Sequence, residues 1–326
     1  MDSHREKSEE LTAGASVLVR AHLDSPYLLE ALESIATQST TFPFEILVAL
    51  DRATPHLMDQ IEVFGSRFPD SRLRLFEHSS SGIASRLNAL ASHATYDFLC
   101  ILDSDDRMLP TRIDKQVKFL ISNPTCAVFG SAISIIDQNG RKIGEKGFST
   151  RPEIIRKNRY SHLPIAHPSA AIRKKALISI GGYRDFYFPS EDYDLWLRLL
   201  DTHELSNSSE ILTEYRIHAS QATATRFFRN YASALAAETS SKNRDQSLPE
   251  VNDSYGDPKE WARHSPKIFR IIHLSSKAFA WQRAKREVTK GHYLKAGIFG
   301  LLFLVVSPTT GKKEILAKIR NRGVFQ

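Results

Sequence analysis

The sequence predicts an α/β fold: a mostly parallel sheet flanked by helices, with a helical extension at the carboxyl terminus. Three observations lead there. Short apolar runs recur at strand length, amphipathic stretches separate them, and polar residues close the runs. Residues 16–19 (SVLV), 44–50 (FEILVAL), 73–76 (LRLF) and 98–102 (FLCIL) read as strands. Between them, residues 26–38 place Leu28, Leu29, Leu32 and Ile35 on one helical face, and residues 85–93 form a short Ala-rich helix. Strands alternating with helices at this spacing pair in parallel. Ligands of such sheets gather at the carboxyl ends of the strands. The polar residues there are Arg20 and His22, Asp51, and then Asp103, Asp105 and Asp106.

The next stretch mixes both element types. Residues 127–136 and 167–172 read as strands and 191–200 as a helix. Residues 240–260 hold little apolar material and read as a polar linker or surface excursion. Beyond them, 261–290 and 293–306 read as helices. The expected organisation is a disordered segment over 1–14 and a domain over 15–222, divided near residue 106. A basic helical extension follows over 223–326.

Composition narrows the function classes. Hydrophobic residues at 41% and charged residues at 25% of 326 exclude wholesale disorder. Two cysteines cannot make a disulfide framework, and both lie in apolar runs, which suits a reducing compartment. The first residues lack the apolar core of a secretory signal. No window reaches the ~18 to 20 consecutive apolar residues of a spanning helix. The expectation is a cytoplasmic protein. The net charge of +7 is uneven: residues 263–322 carry fourteen Lys and Arg against Glu287 and Glu314, a local +12 that leaves −5 for the rest. Such a tail suits an anionic partner, and equally a solvated helical surface.

Asp103-Ser104-Asp105-Asp106, directly after an apolar strand, is the strongest local signal. Three carboxylates in four residues repel one another unless a cation or hydrogen-bond donors offset them. Hard oxygen ligands suit Mg²⁺ or Mn²⁺. A helix cap needs one Asp, not three. Hydrolases that form a phosphoaspartate also carry Asp-x-Asp after a strand. Their motif wants a small hydroxyl residue where Arg107 stands, and it follows the first strand rather than the fourth.

Five segments in order carry a family resemblance: SVLVRAHLDSPYLLEALESIATQS, FEILVALDRAT, SGIASRLNALASHATYDFLCILDSDD, HPSAAIRKKALISIGGYRDFYFPSEDYDLWLRL and YRIHASQAT. Over about residues 15–221 the chain resembles glycosyltransferase family 2, whose members are inverting enzymes with the GT-A nucleotide-diphospho-sugar transferase fold. The resemblance implies that Asp51 bonds a uracil ring and that Arg86 and Asn88 approach the diphosphate; His22, at a position that departs from the family pattern, can still stack on the base. The resemblance puts Asp103 at the ribose or sugar, and Asp105 with His218 on Mn²⁺ or Mg²⁺. Asp192 becomes the general base, with Glu191 beside it in the substrate site. His167 opens the acceptor-side segment. Two departures stand out. Arg20-Ala21-His22-Leu23 replaces the usual Pro-x-Tyr-Asn, and Asp51 stands alone where two Asp are common.

Helical spacing supports Asp192 independently. It lies three and four positions before Leu195 and Trp196, and so projects from the rim of the buried face. An inverting transferase needs a carboxylate there to take the acceptor hydroxyl proton. The expected partners are a nucleotide-diphospho-sugar, UDP-linked, and a saccharide or lipid-linked glycan acceptor of surface polysaccharide synthesis. The rival class is a non-catalytic nucleotide-sugar-binding module of a glycan assembly complex. Nucleic acid is not expected, because the tail aromatics Phe269, Phe279, Trp281 and Tyr293 suit helix packing better than base stacking. An apolar run at 296–306 between basic clusters suits peripheral contact with an anionic membrane on the cytoplasmic face, or a helix packed on the core.

Overall fold

The computed structural model describes residues 12–21, 26–50, 54–77, 82–218 and 227–268. These fall into two units, residues 12–185 with 191–218, and residues 186–190 with 227–268. The first unit begins with β1 (Ala15–Ala21), α1 (Leu28–Ala36), β2 (Phe44–Leu50), α2 (Pro55–Arg67), β3 (Leu73–Glu77), α3 (Ile83–His93) and β4 (Phe98–Asp103). This is the alternation the sequence predicts. Next come β5 (Arg107–Met108), α4 (Arg112–Ser122), β6 (Cys126–Ile136), β7 (Lys142–Lys146) and α5 (Pro152–Lys157). The unit closes with β8 (Ala171–Arg173), α6 (Lys174–Ser179), α7 (Glu191–Thr202) and β9 (Glu204–Arg216). The second unit holds α8 (Phe227–Arg244) and α9 (Pro258–His264).

All these strands join one sheet in the order β3-β2-β1-β4-β8-β6-β9-β5, with β7 on β6. The β3-β2-β1-β4 ladders and the β6-β9 ladder are parallel, while short β8 runs antiparallel between β4 and β6. Most paired residues therefore lie in parallel ladders, as the sequence predicts.

Alternation along the strands assigns each side chain to a face. Val17, Val19, Cys100 and Leu102 pack with Leu28, Leu32 and Ile35 of α1 and with Ile113, Val117 and Leu120 of α4. Leu18, Leu47, Leu99 and Ile101 pack on the opposite face with Leu87 and Leu90 of α3 and Leu195, Trp196 and Leu199 of α7. Each such side chain contributes about 1.5–3 kcal/mol on burial. Arg20 and Asp103 continue this second face past its last apolar residue.

Several expectations are corrected. The strand expected from residue 167 starts as a 3₁₀ turn at His167–Ser169, because Pro168 has no N–H to give a ladder. Only Ala171–Arg173 is extended. The polar linker expected over 240–260 is largely structured. Ser240 and Ser241 are buried in α8, and a reciprocal cap between Glu250 and Asp253 starts a 3₁₀ turn that buries Val251. Polar composition misled here because Ser240 Oγ is satisfied, lying 2.8 Å from the Tyr187 hydroxyl and accepting from Val251 N–H. The helix expected from 261 starts earlier, at Pro258, where Asp257 caps it, and stops at His264. Ser265 turns extended before Pro266, as pre-proline sterics require. At the amino end, the Thr12 N–H donates to Asp97 Oδ2, and order thus reaches three residues into the segment expected to be disordered. Residues 1–11 and 269–326, including most of the basic tail, lie outside the described residues.

Sequence periodicity did not anticipate β9. Its polar residues Ser206, Asn207 and Thr213 are buried, and each has a specific partner. Ser206 Oγ donates to Thr150 O, Asn207 Nδ2 to Ser149 O and Pro164 O, and Thr213 Oγ1 accepts from Arg112.

Candidate active site at the carboxyl end of the sheet

Strand β4 ends at Asp103, and the parallel register sets Arg20 of β1 opposite it. Arg20 Nε donates to Asp103 Oδ1 at 3.0 Å. The chain then turns, the Asp106 N–H donating to Asp103 O, and this brings carboxylate oxygens of Asp103, Asp105 and Asp106 within 4.8 Å of one another. Asp106 is buried. Its Oδ1 accepts the Arg216 N–H at 2.7 Å, and its Oδ2 has no hydrogen-bond partner among the described residues. Burial, then the charges of Asp105 and Asp103, push the Asp106 carboxyl well above its usual range, with the Arg216 N–H opposing.

The end of β9 completes the cluster. Arg216 Nε donates to Asp105 O, and its Nη2 lies 2.7 Å from Glu30 Oε2, with the guanidinium over the Tyr27 ring at 4.2 Å. Two residues on, His218 Nε2 sits 2.8 Å from Asp105 Oδ2.

Arg112 braces the site from beneath. Its fully buried guanidinium donates to the carbonyls of Ile101, Pro168 and Ala170, so it ties β4, just before Asp103, to the turn bearing His167. Burial lowers its pKa to about 10.

Opposite the aspartates, α7 opens with Glu191, buried, and Asp192, partly exposed. Burial raises Glu191 to about 7, with Arg20 opposing and Asp192 adding to the rise. Burial raises Asp192 to about 6, against the Tyr193 N–H and Arg20. Asp103 pushes both upward, so the pair lies within the field of the aspartate that ends β4. His167 Nε2 is 2.9 Å from the Tyr183 hydroxyl, and burial lowers His167 to about 4, leaving it neutral at pH 7.

The structure therefore brings Asp103, Asp105 and His218 together and leaves Glu191 and Asp192 within the field of Asp103. Arg86 stands in the first turn of α3, whose N-terminal N–H groups at Ala84 and Ser85 are capped by Asp185. Asn88 uses its amide on backbone: Nδ2 donates to Tyr183 O and Oδ1 accepts from Tyr183 N. Gly182, at φ +72°, permits this contact, since a Cβ there would overlap Asn88 Oδ1. His22 and Asp51 lie outside the described residues. Sequence reasoning missed Glu30, Arg112, Asp185 and Arg216. Only Arg216 carried a signal, through its place two residues before His218.

The donor chemistry fits a hard divalent cation. Oxygens from three carboxylates converge, one of them buried with an unpartnered oxygen and an unfavourable charge, and a cation would relieve both.

Comparisons with known proteins bear on the family and the fold. Residues 16–181 match the family described as Glycosyl transferase family 2. The O-antigen biosynthesis glycosyltransferase WbnJ of Escherichia coli is 29% identical over 207 residues, covering 62% of this chain and 79% of WbnJ. TarS 1–349 of S. aureus, solved with UDP-GlcNAc, superposes with a TM-score of 0.55 at 15% identity, covering 90% of this chain and 91% of that one. The mannosyltransferase PcManGT of Pyrobaculum calidifontis, solved with GDP-Man and Mn²⁺, gives a TM-score of 0.53 at 16% identity, with 96% and 81% covered. At such identities these two structures share the fold.

Proposed function

Because the chain belongs to glycosyl transferase family 2, we propose that it is a metal-dependent inverting transferase that moves a sugar from a UDP-linked donor to a glycan hydroxyl. The observation that carries this reading is the presence of two acidic groups, linked by the field of Asp103. Asp103, Asp105 and Asp106 cluster at the end of β4, and the Glu191–Asp192 pair opens α7 within that field. One cluster suits the donor diphosphate and its cation, and the other suits the acceptor.

In this mechanism Asp105 and His218 would hold Mn²⁺ or Mg²⁺, and Asp103 meets the donor ribose or sugar. When bound, the cation would supply positive charge that stabilises the leaving diphosphate. Asp192 accepts the proton of the acceptor hydroxyl as that oxygen forms a bond to the anomeric carbon from the face opposite the diphosphate. The bond from the anomeric carbon to the phosphate oxygen breaks, and UDP leaves with its electron pair. A carboxylate raised to about 6 is still ionised at pH 7 and is a stronger base than an ordinary one, which suits this role. Arg216 holds the turn through Asp105 O and the Asp106 carboxylate. Arg86 suits the diphosphate, while the expected diphosphate role of Asn88 competes with its bonds to Tyr183.

The likeness to WbnJ supports an acceptor in surface polysaccharide synthesis. TarS and PcManGT were solved with different nucleotides on this fold, so the base is the point to test. Purified protein with Mn²⁺ is offered a panel of UDP- and GDP-sugars, and release of the nucleoside diphosphate is measured. The reading expects Mn²⁺-dependent release from a UDP-sugar, abolished by Asp105→Asn. Release that persists in EDTA overturns it.

A further inference from the structure

The second face of the sheet ends in charge. Along β1, Leu18 lies in the cluster with Leu195, Trp196 and Leu199 of α7, and Arg20 is the next residue on that face. Along β4, Leu99 and Ile101 precede Asp103 in the same way. The helix that covers this face opens with Glu191 and Asp192. Arg20 therefore stands where the apolar packing stops and α7 begins.

Its guanidinium is held from one side. Nε donates to Asp103 Oδ1 at 3.0 Å, and this is its hydrogen bond among the described residues. The side chain is 25% exposed, so it lies at the edge of the buried face rather than within it. Burial opposes its charge, yet Asp103, Glu191 and Asp105 outweigh burial and hold its pKa above the usual value.

The other charged groups around α7 are already paired or neutral. Arg184 and Arg198 both bind Asp194. Asp185 caps α3. His167, on the 3₁₀ turn, is neutral at pH 7, and the Tyr183 phenol is pushed up by burial and then by Asp192. Asp103 and Glu191 add negative charge beside Asp192. Arg20 is the cation that leads the opposition to burial at Glu191 and that also opposes it at Asp192.

We propose that Arg20 is a positioning residue for the transfer step: anchored to Asp103 across the β1–β4 ladder, its guanidinium faces the Glu191–Asp192 pair and keeps Asp192 ionised as base. This rests on Asp192 being the base. Without Arg20, Asp103, Glu191 and Asp192 would lack their shared cation, and the α7 pair would hold its proton to higher pH. Arg20 thus binds the donor aspartate while its charge acts on the acceptor base.

The sign follows directly. A nearby cation favours the carboxylate, so removing it raises the Asp192 pKa from its present value of about 6. The test is the pH dependence of kcat with saturating donor and Mn²⁺. In Arg20→Met the acid limb moves up by about one pH unit, so kcat falls about fivefold at pH 6, about twofold at pH 7, and little above pH 8. Arg20→Lys keeps the charge and returns the limb to its original place. If Arg20→Met does not fold, Arg20→Gln, which keeps a hydrogen bond to Asp103, carries the same expectation. A limb that stays put in the neutral variant, with a loss equal at every pH, overturns the proposal. So does a Lys variant shifted as far as the Met variant. In Asp192→Asn the residual rate should lose its acid limb. A limb that survives there overturns Asp192 as base, whereas one that vanishes there yet does not move in Arg20→Met overturns the role of Arg20 alone.

Discussion

His218 Nε2 lies 2.8 Å from Asp105 Oδ2, joining residues 113 positions apart in the chain. One stands on the turn after β4 and the other two residues past the end of β9, so a carboxylate and an imidazole meet where a divalent cation would be held. Asp105→Asn should abolish Mn²⁺-dependent binding of UDP, since an amide is a weaker ligand and brings no charge. His218→Gln should weaken it by about 10-fold or more. Calorimetry with UDP in Mn²⁺ and in EDTA checks both, and unchanged metal-dependent binding in Asp105→Asn would remove the assignment.

Asp192→Asn should leave UDP affinity near wild type while transfer falls by about 10²-fold or more, the scale of a lost general base. Steady-state kinetics beside equilibrium binding separates the two effects. A collapse of donor affinity with normal turnover would make Asp192 a binding residue.

The wild-type enzyme should lose kcat/KM about tenfold per pH unit below about 6. Burial raises Asp192, and a base acts only when ionised, so activity is present above its pKa and is lost as pH falls through it. Glu191, raised to about 7, is largely protonated where Asp192 titrates, so Glu191→Gln should leave that limb nearly in place. A shift of a full pH unit in either direction would contradict this assignment.

Arg112→Met should destabilise the fold by about 3 kcal/mol or more, because three buried carbonyls lose a charged donor. Urea unfolding measures this. A loss below about 0.5 kcal/mol would mean that the carbonyls find other partners.

The basic tail should bind anionic vesicles in a salt-sensitive way, each Lys or Arg near the surface adding about 1 kcal/mol. Co-sedimentation with phosphatidylserine vesicles, at low and high salt, compares the full chain with one ending at residue 268. Equal sedimentation of the two would locate the contact elsewhere.

Much of this protein was legible before folding. Strands β1 to β4 and helices α1 and α3 were readable because each needs only a local apolar period. The Asp103-Ser104-Asp105-Asp106 run and the Glu191–Asp192 pair were readable because each carries its chemistry in consecutive residues. What stayed hidden was whatever depends on a partner distant in sequence. Strand β9 looked polar because its Ser206, Asn207 and Thr213 are paid for by Thr150, Ser149 and Arg112, and periodicity cannot see such partners.

The sequence by itself determined the alternating core, the acidic turn and the family to which they point, since hydrophobic period and motif spacing are local properties of a chain. Only the tertiary structure decided that Arg20 faces Asp103, that Asp185 caps α3 a hundred residues away, and that Arg216 clasps the turn of Asp105 and Asp106. The physical reason is common to all three. A charged or polar group acquires its role from the field and the hydrogen bonds around it, and those are set by register and packing between segments that the sequence keeps far apart.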